Sequence, residues 1–143
     1  MTMTMFKHIL MPVDGSLAML PQVVRCLRFA ADAGARVTAL HVVAPRASSG
    51  NDSDSGANAA RASQIMQQVV REAAELGVVC DTRVVEDAAP WRAIVDAAAA
   101  GGVAGIDLIC MASHSRPAVA AQALGSQASQ VLVHAAVPVL VLR

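Results

Sequence analysis

The sequence predicts an α/β domain built on one open parallel sheet with helices on both faces. Three observations point there. Five short apolar runs rich in Val, Ile and Leu are separated by four helical stretches, in the order β-α-β-α-β-α-β-α-β, and such alternation is the pattern of linked βαβ units. Several of the runs are near-continuous rather than alternating, Val137-Pro-Val-Leu-Val-Leu142 most plainly, as strands covered on both faces require. Alanine fills 30 of the 143 positions, and small side chains let helices lie close to a sheet. A single domain over residues 1–143 fits this length.

The elements follow in order. The first strand is expected over Phe6–Val13, ending in Met11-Pro-Val-Asp-Gly-Ser16. Asp14 or Ser16 has the chemistry to cap the next helix. A cap at Ser16, however, would place Pro21 beyond the free first turn, where it costs a hydrogen bond. The regular helix is therefore expected from Pro21 to Ala33, with Gly34 at its end. The second strand spans Val37–Val43. Ala44–Asn58 mixes Pro, Gly, Ser, Asn and Asp without a period and reads as a long loop, mobile or functional. The clearest helix covers Ala59–Leu76. Ala62, Ile65, Met66, Val69, Val70, Ala73 and Leu76 form its apolar face, and Gly77 follows. The third strand is Val78–Val85. A third helix opens at Pro90, which suits the first helical position, and runs through the Ala97–Ala100 tract to Gly101. The fourth strand is Ile106–Met111, the fourth helix runs from Gly125-Ser126 to near His134, and the last strand is Val137–Leu142.

Composition and charge exclude several functions. Eleven basic residues balance eleven acidic ones, so no basic field draws in nucleic acid or an anionic membrane. There is no Tyr, and only Trp91, Phe6 and Phe29 are able to stack on bases. Lys7 is the sole lysine, and no phosphate-binding motif surrounds it. Cys26, Cys80 and Cys110 are odd in number and widely spaced, which fits reduced thiols in the cytosol rather than a redox or metal motif. The four histidines lack metal-ligand spacing, so no structural metal is expected; His41 reads as a packed strand residue. Met1–Met5 lacks the character of a signal peptide and no run reaches 18 apolar residues, so a cytoplasmic protein is expected.

In open α/β sheets, ligands bind beyond the carboxyl ends of the strands. Asp14 stands at the tip of the first strand, where a carboxylate can hold a ribose hydroxyl or a metal-bound phosphate. Gly125-Ser126 opens the last helix, and a helix N-terminus is an anion site. No base, nucleophile or metal cluster beyond Asp14 is visible.

The chain resembles the universal stress protein family over nearly its whole length. The resemblance rests on Ile9-Leu-Met-Pro-Val-Asp-Gly-Ser16, Leu40-His-Val-Val43, Thr82-Arg-Val-Val-Glu86, Asp107-Leu-Ile-Cys-Met-Ala-Ser-His114, Leu124-Gly-Ser126 and Val131 to Arg143. It implies a Rossmann-like, adenine-nucleotide-binding type of sheet with strand order 3-2-1-4-5, commonly in a homodimer. The ATP-binding members that it resembles carry Gly, two residues, Gly, nine residues, then Gly-Ser or Gly-Thr. Here those positions are Ala112, Ser115, Gly125 and Ser126. If position 115 needs a left-handed backbone, a non-glycine residue costs about 1–2 kcal/mol, a tenfold loss of affinity or more. Pro117 removes a further N–H donor, while Arg116 and the Ser113 and Ser115 hydroxyls can compensate. By this resemblance Pro12, Val13, Asp14 and Val42 would line the adenine and ribose, and Met111, Ala112, Ser115, Gly125, Ser126 and Gln127 the phosphates.

The function implied is a regulatory stress-response protein that binds ATP or a related adenine nucleotide, with Mg²⁺, and hydrolyses it slowly at most. The alternative is a dimeric interaction protein of the same family whose altered phosphate loop no longer holds a nucleotide. A homodimer is expected through the last strand, whose Val137, Val139, Leu140, Val141 and Leu142 carry no charge and would sit at a sheet edge. Scarce aromatics argue against a flavin. The lack of an acidic cluster, and of a lysine in the last strand, argues against a phosphoacceptor domain.

Overall fold

His8, Ile9, Leu10, Met11 and Pro12 form β1 (His8–Pro12), and all five are buried. A strand buried on both faces belongs in the middle of a covered sheet. In the computed structural model, which describes residues 5–15, 17–45, 52–113 and 124–143, β1 pairs in parallel with β2 (Arg36–Val43) on one side and β4 (Leu108–Ala112) on the other. β2 pairs with β3 (Cys80–Glu86) and β4 with β5 (Val139–Leu142), again in parallel. The order is β3-β2-β1-β4-β5, as the family resemblance implied.

The pleat divides the core in two. Ile9, Met11, Val37, Ala39, Leu108 and Cys110 face α1 (Leu20–Ala33) and α2 (Asp52–Glu75), which contribute Val23, Leu27, Ile65 and Val69. Leu10, Leu40 and Ile109 face the other way, toward Ile94 and Ala98 of α3 (Pro90–Ala98) and Ala128 and Val131 of α4 (Ser126–His134). Helices thus cover both faces.

Several boundaries move. A 3₁₀ turn, Leu17–Met19, precedes α1, and Pro21 falls in the first turn of the α-helix, where it costs nothing. The Ser16 cap lies outside the described residues. Gly34 closes α1 at φ 70°, its N–H bonded back to Ala30 and Ala31 carbonyls. α2 corrects the loop expected over Ala44–Asn58, because helix already begins at Asp52. Once the amphipathic turns are packed, each residue added to a helix gains a hydrogen bond for one residue fixed, so an aperiodic stretch can extend it. Residues 46–51 of that expected loop lie outside the described residues.

α3 corrects in the other direction, ending at Ala98 despite the alanine tract. Val103 N–H returns to the Ala97 carbonyl at 2.7 Å and Gly102 N–H to Ala99 at 2.9 Å. This closing turn overrides local helix propensity. β1, β3, β4 and β5 begin two residues later than expected and β2 one residue earlier; β5 starts only after Pro138, which has no N–H for the ladder. At the amino end, the Asp107 carboxylate accepts the N–H groups of Lys7 at 2.8 Å and His8 at 3.1 Å. No helix among the described residues is long and apolar enough to cross a membrane.

Candidate functional site

The chain runs outward from β1 to β2 and β3, then crosses back to β4 and β5. The carboxyl ends of β1 and β4 therefore flank the point where strand order reverses, the place where such sheets take ligands. Each neighbouring segment is fixed by backbone geometry. Val13 N–H donates to the Leu40 carbonyl at 2.8 Å. The buried His41 ring is bonded through Nδ1 to the Val13 carbonyl, also at 2.8 Å. Gly15 has φ 86°, and a Cβ there would stand 3.1 Å from His41 Cε1. Glycine is needed at this position for its backbone conformation and for its closeness to the ring. His41 is thus a strand residue, as its sequence context suggested, yet it also holds the β1–α1 loop that presents Asp14. Nothing in the sequence pairs it with Val13, 28 residues away.

Across the crevice, Ser113 N–H donates to the Leu142 carbonyl at 2.8 Å, and Gly125 N–H donates to the Ser113 carbonyl at 2.8 Å. The start of α4 is thereby tied to the end of β4. Gly125 is the N-cap residue, with extended backbone and no side-chain cap. The first N–H groups of an α-helix have no partner within the helix, so α4 brings donors and its positive dipole end to this edge.

The structure places Pro12, Val13, Asp14, Val42, Met111, Ala112, Gly125, Ser126 and Gln127 at or beside this carboxyl edge. Asp14 is exposed and Val42 half-buried. Ala112 closes β4 with no positive φ, so its methyl meets no left-handed strain. Gln127 is engaged elsewhere in part: its Oε1 accepts the Trp91 N–H at 2.8 Å and so caps the start of α3. Ser115, Arg116, Pro117 and His114 lie outside the described residues.

An open groove of about 190 Å³ runs along the switch point, walled by Met11 and Pro12 of β1, Met19, Gln22 and Cys26 beside or on α1, and Cys110, Met111 and Ala112 of β4. Sequence reasoning missed Gln22, Met19 and the two cysteines, because only packing of α1 over β4 brings them here. The two thiols interact: pairing with Cys110, with burial adding to it, raises the Cys26 thiol well above its ordinary range, and the same pairing lowers that of Cys110. On β3, burial pushes the Cys80 thiol up to about 11.

Among the described residues, cations are sparse at this edge. Lys7 sits before β1, at the opposite end of the strands. Arg92 is paired with Asp87 at 2.6 Å, and the guanidinium holds that carboxyl below the usual range. Arg25 donates to the Arg143 carbonyl at 2.9 Å. Among the described residues no three His, Cys, Asp or Glu side chains converge on one metal position.

A five-stranded sheet of this order, with its crevice at β1 and β4, defines a Rossmann-like α/β domain. The model of the universal stress protein family matches residues 5–143, and the chain belongs to that family. The universal stress protein UspA from Lactobacillus plantarum is similar to it, 28% identical over 96% of this chain and 98% of that one, with a TM-score of 0.80. A universal stress protein in complex with cAMP is 22% identical over 96% and 97% of the two chains, at a TM-score of 0.72. The universal stress protein from Archaeoglobus fulgidus in complex with dAMP is 19% identical over 99% and 100%, at a TM-score of 0.68. No curated protein matches the chain.

Proposed function

We propose that this domain is a cytoplasmic, regulatory stress-response protein that binds ATP or a related adenine nucleotide at the carboxyl edge of β1 and β4. The observation that carries the reading is the open crevice with the N-terminus of α4 tied beside it through Gly125 and Ser113. Pro12 in the groove wall and the half-buried Val42 offer apolar surface to a base, while the Val13 side chain is buried in the core and its backbone fixes the loop. The exposed Asp14 carboxylate serves ribose hydroxyls or Mg²⁺, an ion that commonly takes one or two carboxylates together with the substrate's phosphates. Asp14 and a nucleotide's own oxygens suit that ion. Gly125 and Ser126, with Ser115 and Arg116, serve the phosphates, and Met111 and Ala112 form the floor. Gln127 keeps its amide NH₂ for a ligand while its oxygen holds α3. The reading assigns no catalytic residue, and slow ATP hydrolysis is its upper limit. The cAMP and dAMP complexes of proteins with the same fold support an adenine ligand.

A second reading draws on the groove's size. Only about 10 Å³ of the groove is enclosed, far below the roughly 300–1,000 Å³ of small-molecule sites, and Ala112 and Ser115 stand where ATP-binding relatives have glycine. On this reading the chain is a dimeric interaction protein without nucleotide. Calorimetric and thermal-shift titration with Mg²⁺–ATP, AMP and cAMP separates the two. Binding at about 100 times Kd stabilises by about 2.7 kcal/mol, which raises the melting temperature of a chain this size by roughly 5–10 °C. Asp14→Ala weakens that response. Neither heat nor shift with any ligand at millimolar concentration would overturn the first reading; Ala112→Gly with Ser115→Gly would then create binding.

A further inference from the structure

Sulfur is concentrated at one place in this fold. The chain has seven methionines and three cysteines, and five of these ten side chains belong to the wall of the switch-point groove. Met111 packs into the core on the far face. Met11, Cys26 and Cys110 belong to the core on the α1 face of the sheet, and Met19, the last residue of the 3₁₀ turn, lines the same groove. Met11 and Cys110 follow Leu10 and Ile109, which are register partners on the adjacent strands β1 and β4. Cys26 stands on α1 and lines the same groove as Cys110. Two buried thiols, with a thioether on the neighbouring strand, thus share the wall of one open groove.

This donor set selects its ligand. Thiolate and thioether are soft donors that favour Cu(I). Hard cations require oxygen ligands, and a structural zinc requires four Cys, His or carboxylate donors; among the described residues no three such groups converge. We propose that Cys26 and Cys110, with the Met11 thioether as third donor, form a binding site for a soft monovalent cation of the Cu(I) type. Two copper–sulfur bonds form to the thiolates, and the two thiol protons pass to solvent. The bound centre carries one net negative charge, offset by the Arg25 guanidinium, whose charge reaches Cys110. A disulfide between Cys26 and Cys110 is the rival use of the same thiols, but it leaves the clustering of methionine sulfur around them without a role. The site shares its groove with the nucleotide reading, so the titration is run without nucleotide and its copper readout stands or falls separately.

The test is an anaerobic titration of the reduced, full-length chain with Cu(I) presented as its bicinchoninate complex. The protein should withdraw one ion per chain and gain a thiolate-to-copper absorption in the near ultraviolet. Cys26→Ser and Cys110→Ser should each lower the affinity at least tenfold and Met11→Leu by less, with Cys80→Ser unchanged. X-ray absorption of the loaded wild type does not depend on the variants folding, and should show sulfur alone in the first shell. A nitrogen or oxygen shell, retention of copper by the Cys26→Ser/Cys110→Ser double variant, or no withdrawal of copper would overturn the proposal. So would closure of a Cys26–Cys110 disulfide by diamide in a protein that, reduced, takes no copper.

Discussion

His8 carries its imidazole into the sheet as a neutral group. Nδ1 donates to the Ala104 carbonyl at 3.0 Å, and Nε2 accepts from the Thr38 hydroxyl at 2.7 Å. Burial is the chief reason its pKa lies below the usual 6.5, assisted by Arg36 and opposed by Ala104, Asp107 and Asp81. In the unfolded chain the ring protonates first as pH falls, while the native ring stays neutral. Its contribution to stability is therefore complete above about pH 6.5, declines below that, and levels once pH passes the lower native pKa. We predict a falling unfolding midpoint from about pH 7.5 to 5.5, with a shallower slope in His8→Gln, which keeps hydrogen-bonding groups but does not titrate. Equal slopes in the two proteins would refute this role. The sequence showed His8 without a partner because Thr38 and Ala104 lie 30 and 96 residues away. Asp14, by contrast, was legible as a carboxyl-edge position, since it directly follows the first apolar run of the chain whatever packs beneath it.

At the scale of elements, periodicity located every strand and helix, while their ends depended on neighbours. α3 shows this twice. Its start is capped by Gln127 of α4, a contact no local pattern announces. Its end is set by Gly102, where a Cβ would collide with the carbonyl oxygens of Asp96 and Ala97. Both obstacles are backbone, so neither can swing aside. Gly102→Ala should cost about 1–3 kcal/mol and lower the thermal midpoint by roughly 2–4 °C per kcal/mol; an unchanged midpoint would show that the turn can relax. α2 makes the converse point. Residues 52–58 have no apolar period, yet they continue a helix whose later turns are anchored by Ile65, Met66 and Val69.

At the scale of the molecule, the two edges of the sheet differ. β3 exposes Asp81, Arg83 and Glu86, charges that discourage pairing with another chain. β5 is uncharged and half-buried throughout. We therefore expect two copies to associate through Val137, Val139, Leu140, Val141 and Leu142. Sedimentation should give a dimer for the wild type and a monomer for Val141→Arg, with circular dichroism unchanged; a wild-type monomer at tens of micromolar would refute the pairing. The sequence by itself determined the α/β class, the number of strands and the carboxyl-edge positions of Asp14 and Gly125, because strand alternation and apolar period are local consequences of chain geometry. Only the tertiary structure decided where α2 begins and α3 ends, what His8 and His41 bond, and that Cys26 lines one groove with Cys110 and Met11. Those contacts join residues far apart in the chain, and they exist only once α1 lies across β1 and β4.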